Sequence, residues 1–157
     1  MLTACVNIIA HFPASADSPV ERSLKSLFAR FIIVSALVSL ARTQDNVEQQ
    51  QHDYVEMRRH VMAFDRDLPE HLPGLVDENA REDMIRKHAV LLTFDFEAAI
   101  VLGHWDDLGG IVQRAVPCRS VAAYQAMADN LLRATQAPGR GQFESYPPSR
   151  SCFVADT

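Results

Sequence analysis

The sequence predicts an all-α chain built of antiparallel helical hairpins, and three observations predict it. Apolar residues recur at helical steps in one segment after another, as in Val47, Tyr54, Met57, Val61 and Phe64. Pro, Gly, Ser and Asp stand between these segments, where helices start and stop. No stretch reads convincingly as a strand. The chain has 157 residues, of which 48% are hydrophobic and 22% charged, so it has the length for one sizeable core and the composition of a globular protein.

Taken in order, Leu2 to Phe12 reads as a short helix with Leu2, Cys5, Val6, Ile8, Ile9 and Phe12 on its apolar side, ended by Pro13. It begins abruptly, as in a chain cut from something longer. Ser18 is placed to cap the next helix, with Pro19 at its first position and Glu21 three residues on. That helix is expected to run to about Arg42. The apolar residues between Leu24 and Leu40 cover so much of its circumference that it reads as the central helix of the stack.

Asp45 or Asn46 caps a third helix, whose far side, with Gln50, His52, Asp53, Glu56 and Arg59, is expected to be wet. Asp65 to Gly74, with Pro69, Pro73 and Gly74, reads as a loop. Asp77 caps a long helix to about Leu102, with Ile85, Ala89, Leu92, Phe96, Ala99, Ile100 and Val101 as apolar positions. Gly103 supplies the left-handed residue that closes it. After a turn at His104 to Asp106 come a helix with Leu108, Ile111, Val112 and Ala115, stopped by Pro117, and a last helix capped by Ser120. The last stripe is Val121, Tyr124, Met127, Ala128, Leu131 and Leu132. The domain reading is a helical-repeat domain at 1–135 and a disordered or unrelated tail at 136–157, rich in Gly, Pro and Ser.

Composition narrows function. A formal net charge of -5 gives no electrostatic ground for direct nucleic-acid binding. Cys5, Cys118 and Cys152 are odd in number and far apart, which argues against a disulfide framework or a structural zinc and fits a reducing compartment. The apolar run Phe31 to Ala41 is short of the roughly 20 residues that span a bilayer. Met1 to Phe12 lacks the basic start and cleavage site of a signal peptide.

The sequence offers no catalytic, cofactor-binding or metal-ligating set. No phosphate loop, dinucleotide fingerprint or nucleophile elbow is present, and Gly109 and Gly110 sit in a helical pattern without a flanking strand. His104, Asp106 and Asp107 could be read as an acid/base group. Adjacent carboxylates on a helix point apart, however, and acids at a helix start need only the dipole to explain them. Asp95 and Glu97, in an apolar helix, are expected to pair with a basic residue of a neighbouring helix or to face solvent. His52 and His60 are two turns apart, too far for one metal ion, and His88 reads as a surface residue. Arg58, Arg59 and His60 form the one compact basic patch in a helix, and Trp105 reads as a packing residue at a turn.

Helical repeats of about 34 residues carry small residues where paired helices touch and an aromatic after the turn. Ala98 to Ala115 has this character, with Ala98, Ala99, turn Gly103, Trp105, Leu108, Val112 and Ala115. At FDFEAA (Phe94 to Ala99), WDDL (Trp105 to Leu108), YQAMAD (Tyr124 to Asp129) and LARTQDNVEQQ (Leu40 to Gln50), the chain resembles fungal members of the meiosis-specific Spo-twenty-two/Zip-four family of tetratricopeptide-like proteins. The resemblance runs from near the start to about Arg133. It implies a fragment of a non-catalytic α-solenoid scaffold in the nucleus, on meiotic chromosomes. Such a scaffold joins crossover-promoting and chromosome-axis proteins in reciprocal recombination and synapsis, without cofactors, membrane or direct nucleic acid. Self-association through exposed terminal helices is a further expectation. The alternatives are a self-contained helical-bundle domain that binds a ligand or regulatory partner, and an all-α enzyme using His104, Asp106 and Asp107.

Overall fold

Five α-helices joined by short turns and three single-turn 3₁₀ segments make up the regular structure of residues 19–136, the part of the chain that the computed structural model describes. All of it is helical, as the periodicity predicts. The expected helix at Leu2 to Phe12, the Ser18 cap and the tail beyond Gln136 lie outside the described residues.

Helix α1 spans Pro19–Thr43. Its hydroxyl side chains bond back to the helix, Ser35 Oγ to the Phe31 carbonyl at 2.9 Å and Ser39 Oγ to the Ser35 carbonyl at 2.9 Å, so an apolar helix carries them without stranded donors. Leu27, Ile33, Val34, Leu37, Val38 and Ala41 are buried. Among the described residues Leu24–Thr43, with a mean hydropathy of 1.8, is the one segment long and apolar enough by composition to cross a membrane, longer than the run Phe31 to Ala41 indicates. The core helix of a soluble protein meets the same criterion. The position of α1 differs from expectation. It packs chiefly on α2 at one edge of the assembly, and Phe28, Ile32 and Leu40 remain exposed.

Helix α2 spans Val47–His71. Asn46 Oδ1 caps it, accepting from the Glu48 and Gln49 amides at 3.0 and 3.2 Å. Tyr54, Met57, Val61 and Phe64 are buried as expected, whereas Val47 is 64% exposed because it stands at the open first turn. Asp53, expected in solvent, is buried and accepts from the Gln49 side-chain amide at 2.9 Å. The expected loop at Asp65 to Gly74 is also overturned. The helix continues through Pro69 to His71, and a 3₁₀ turn follows at Leu72–Gly74. Proline removes one hydrogen bond, but the surrounding side chains hold this last turn. Leu68 is buried, Asp65 is bonded to His88 and Arg114, and Asp67 faces Arg30 at 3.5 Å.

Helix α3, Glu78–Val101, is the central one. Asp77 caps its start, accepting from the Asn79 amide at 3.0 Å. Gly103, at φ +74°, closes its end. The Gly103 amide bonds to the Ile100 carbonyl at 3.1 Å and the His104 amide to the Ala99 carbonyl at 2.8 Å, which satisfies the last carbonyls. Met84, Leu91 and Ala98 join the core shared with α1 and α2. Leu92, Phe96, Ala99 and Ile100 join a second core with Ile111, Ala115 and Met127, against which Trp105 packs half-buried. Each fully buried aliphatic or aromatic side chain contributes roughly 1.5–3 kcal/mol, so a helix buried on two faces holds both halves together.

Helix α4 is short, Leu108–Ala115, after the 3₁₀ turn Trp105–Asp107. A further 3₁₀ turn, Val116–Cys118, and left-handed Arg119, at φ +48°, lead to helix α5, Val121–Gln136. Ser120 Oγ accepts from the Ala123 amide at 3.3 Å, as a cap should. The α5 stripe is rotated from the expected one. Ala123 and Met127 are buried, while Val121 and Leu132 are 81% and 55% exposed and Ala128 is also exposed. Helix α5 docks mainly on α3, and this choice of neighbour sets which side turns inward.

Candidate functional site

Spacing puts ionisable groups on facing helices in matched register. Arg58 and Asp65 lie seven residues apart on α2, and His88 and Asp95 lie seven apart on α3, so each pair shares a face. Where α2, α3 and α4 meet, these groups form one alternating chain.

Asp95 is its centre and is fully buried. Oδ1 accepts from Arg58 Nε at 2.7 Å, and Oδ2 accepts from Arg114 Nη2 at 2.6 Å. Arg58 Nη1 continues outward to Asp107 at 2.9 Å and to His104 Nδ1 at 2.8 Å. On the other side Arg114 Nη1 reaches Asp65 Oδ2 at 3.4 Å, and Asp65 Oδ1 meets His88 Nε2 at 2.6 Å. His88 Nδ1 lies 3.6 Å from Cys118 Sγ. The order is therefore Asp107, Arg58, Asp95, Arg114, Asp65, His88, Cys118. A buried carboxylate with guanidinium donors on both oxygens avoids an uncompensated charge.

The expected pairing of Asp95 with a neighbouring helix is what the structure has. Glu97 is paired too. Arg42 donates to both its oxygens at 2.9 and 2.5 Å, and the Tyr54 hydroxyl donates to Oε1 at 2.8 Å. Burial works against the Glu97 carboxylate, yet the hydrogen bonds from Arg42 and Tyr54 carry its pKa below the usual range. Burial, and then the bond to Glu97, push the Tyr54 phenol well above its ordinary value. The hydrogen bond with His88 holds the Asp65 carboxyl below the ordinary carboxylate range, against the opposing effect of burial, with Arg114 adding to it.

Two readings of single residues change. Arg58, Arg59 and His60 do not form a basic patch. Arg58 is turned inward onto Asp95, Arg59 pairs with Glu56 at 3.0 Å, and burial lowers the pKa of half-buried His60. His88 is not a surface residue. Its side chain is 12% exposed and stacks on the Phe64 ring at 5.9 Å. Asp107 stands at the start of α4, as the helix-start reading has it, and its side chain also pairs with Arg58. His104 Nδ1 lies 4.0 Å from Asp107 Oδ2, and both meet the Arg58 guanidinium. Gly109 and Gly110 face open space.

Cys118, His88 and Asp65 stand in the order that thiol hydrolases use, with nucleophile, base and orienting acid in line. No spacing in the sequence signals it, since the three residues lie on three elements and only the fold aligns them. Burial, and then the Asp65 charge, raise the Cys118 thiol pKa, so the thiolate that would attack is disfavoured. A cleft of about 540 Å³ adjoins the chain and is lined by Arg58, Met62, Asp65, Asp107, Ile111 and Arg114 among others, but neither His88 nor Cys118 borders it. No group of three or more His, Cys, Asp or Glu placed to hold a metal ion is found among the described residues. The chain matches no protein-family model, no curated protein and no solved structure.

Proposed function

We propose that this chain is a non-catalytic protein–protein interaction scaffold, part of a tetratricopeptide-like α-solenoid. The observation that carries this reading is the packing order. Each helix packs on its successor, and the odd-numbered helices also pack on one another, α1 on α3 and α3 on α5. This is the neighbour pattern of stacked hairpins, in which each unit contacts only the next. The outer members then keep an open apolar side, here Phe28, Ile32 and Leu40 on α1 and Val121 and Leu132 on α5. The polar groups with chemical potential are engaged in holding helices together, which supports a binding role over a catalytic one.

The likeness at FDFEAA, WDDL and YQAMAD extends the proposal to a meiotic role. The scaffold acts in the nucleus, on meiotic chromosomes, joining crossover-promoting and chromosome-axis proteins. Within those motifs Asp95, Glu97 and Asp107 make interhelical ion pairs and Trp105 packs on the second core, so the motif residues are the ones that set the stack. The test is light scattering coupled to size exclusion on the full chain. Concentration-dependent masses above one chain are expected. A monodisperse monomer with a high melting temperature overturns the reading in favour of a self-contained helical domain.

A further inference from the structure

Helices α2 and α4 both pack on α3 rather than closely on each other, and a groove runs between them. Arg58 meets Asp107 at 2.9 Å near one end of it, and Asp65 meets Arg114 at 3.4 Å one heptad further along both walls, so the walls run parallel. The cleft of about 540 Å³ shares Arg58, Met62 and Asp107 with a second of about 290 Å³, which Val55 and Arg59 also border. From Val55 to Arg66 the groove is roughly 16 Å long, about three helical turns. Its floor is apolar, with Ile111 buried and Met62 61% exposed. Along its α2 edge stand Arg59, Met62 and Arg66 at steps of three and four, so one stripe reads cation, thioether, cation. Both guanidinium groups are mostly exposed and pair with neighbours on their own helix, Arg59 with Glu56 and Arg66 with Asp67, each at 3.0 Å. On the α4 wall Gly110 brings no side chain, and a Cβ there meets nothing within 4 Å.

We propose that this groove receives a helix of another protein that carries an apolar residue between two carboxylates, at steps of three and four. The proposal rests on the scaffold reading and gives the chemistry of one partner. Charge complementarity selects the occupant. Exposed pairs within a helix, such as Arg59 with Glu56, contribute little, so both guanidinium groups exchange partners at small cost. The flexible Met62 side chain adapts to the apolar residue, and bare Gly110 lets the partner's backbone come close. Asp106 stands exposed on the opposite wall, so the carboxylates belong on the α2 side, while Asp107 is already paired with Arg58. These two acids also make a phosphate backbone the poorer occupant. A second copy does not supply the stripe. Among the described residues, no exposed large apolar side chain has carboxylates three or four positions away on both sides.

The probe is a fluorescein-labelled, alanine-based helical peptide with Glu, Leu and Glu at those steps, and its control carries Lys in place of both Glu. By fluorescence anisotropy, the acidic peptide is expected to bind the full chain about ten-fold more tightly than the lysine peptide. In the double variant Arg59→Glu with Arg66→Glu, the order is expected to reverse. Gly110→Leu is expected to weaken the acidic peptide about ten-fold by filling the groove. It leaves the fold in place, because a Cβ at Gly110 meets nothing within 4 Å, and circular dichroism checks this. Equal affinity of the two peptides, an order that the double charge reversal leaves unchanged, or no binding by either overturns the proposal. Binding that Gly110→Leu leaves unchanged overturns it too and moves the peptide to another face. Displacement of the peptide by a DNA duplex would overturn it and assign the groove to nucleic acid. Light scattering on the same samples keeps this result apart from the scaffold reading. A chain that self-associates but ignores the peptide loses this proposal alone, and a monomer that binds the peptide loses the self-association alone.

Discussion

Replacing Asp95 tests the central claim about this architecture, that one buried carboxylate clamps three helices. Asp95→Ala removes the acceptor for Arg58 Nε at 2.7 Å and for Arg114 Nη2 at 2.6 Å. Removing one partner of a buried pair costs about 3–5 kcal/mol, mostly because the remaining charge is left uncompensated. Here the low end applies. Arg58 retains Asp107 and His104, and Arg114, with 31% of its side chain exposed, retains Asp65 and reaches water. The expected loss is therefore about 3 kcal/mol, a fall in melting temperature of roughly 10 °C for a chain of this size. Urea unfolding at neutral pH, followed by far-ultraviolet circular dichroism, reads it directly. A second variant separates clamp from filler. Asp95→Leu with Arg58→Met and Arg114→Met replaces the whole triad by apolar groups and is expected to recover most of the loss. A loss below about 1 kcal/mol for Asp95→Ala would refute the reasoning, because a buried acid with two charged donors cannot be that indifferent.

Two further outcomes follow from the ends of the same ion-pair chain. The folded Asp65 pKa is depressed, first by its hydrogen bond with His88, so its contribution is present above the unfolded carboxylate value near ~3.9 and is lost as pH falls through the lower folded value. Asp65→Asn is then expected to lower the urea midpoint at pH 6 and to converge with the parent once pH falls below the depressed folded value, while a gap independent of pH would contradict the linkage. Cys118, its pKa raised by burial and by Asp65, is expected to react with a maleimide more slowly than free cysteine at pH 7 in a chain carrying Cys5→Ser and Cys152→Ser; faster reaction would mean that His88 activates it.

Periodicity made the helices legible, and capping chemistry made several of their ends legible. Asn46, Asp77 and Ser120 each accept a first-turn amide, and Gly103 takes the positive φ that closes α3. Helix rotation and rank were not legible. Helix α1 has the widest apolar surface, yet it lies at the edge, while α3, with its acids and histidine, is central. Composition cannot distinguish a helix buried on two faces from one buried on a single face that leaves Phe28 and Ile32 open. The α2 extension through Pro69 was hidden for a related reason. Proline's local penalty is read from sequence, whereas Leu68 in the core and Arg30 beside Asp67 are tertiary and outweigh it.

The ion-pair chain was the least legible feature, and the reason bears on function. Its members come from α2, α3, the turn before α4, α4 itself and the turn before α5, and the central Asp95 shares no element with either of its arginines. A motif of local origin signals a site that a loop can carry from one fold to another. A set assembled only by tertiary packing signals that the groups and the packing depend on each other. Asp95 has no other means of burial than its two arginines, and those arginines lie between the helices they join. The same mutual dependence limits what Cys118, His88 and Asp65 can do. Their alignment has the order of a catalytic relay, but each member is also a packing contact, with His88 stacked on Phe64 and Asp65 shared with Arg114. A group that must shift its proton and position during turnover is poorly suited to holding a helix in place. The ion-pair chain is therefore interior support, and a scaffold of the proposed kind would use the exposed apolar residues of α1 and α5 for recognition.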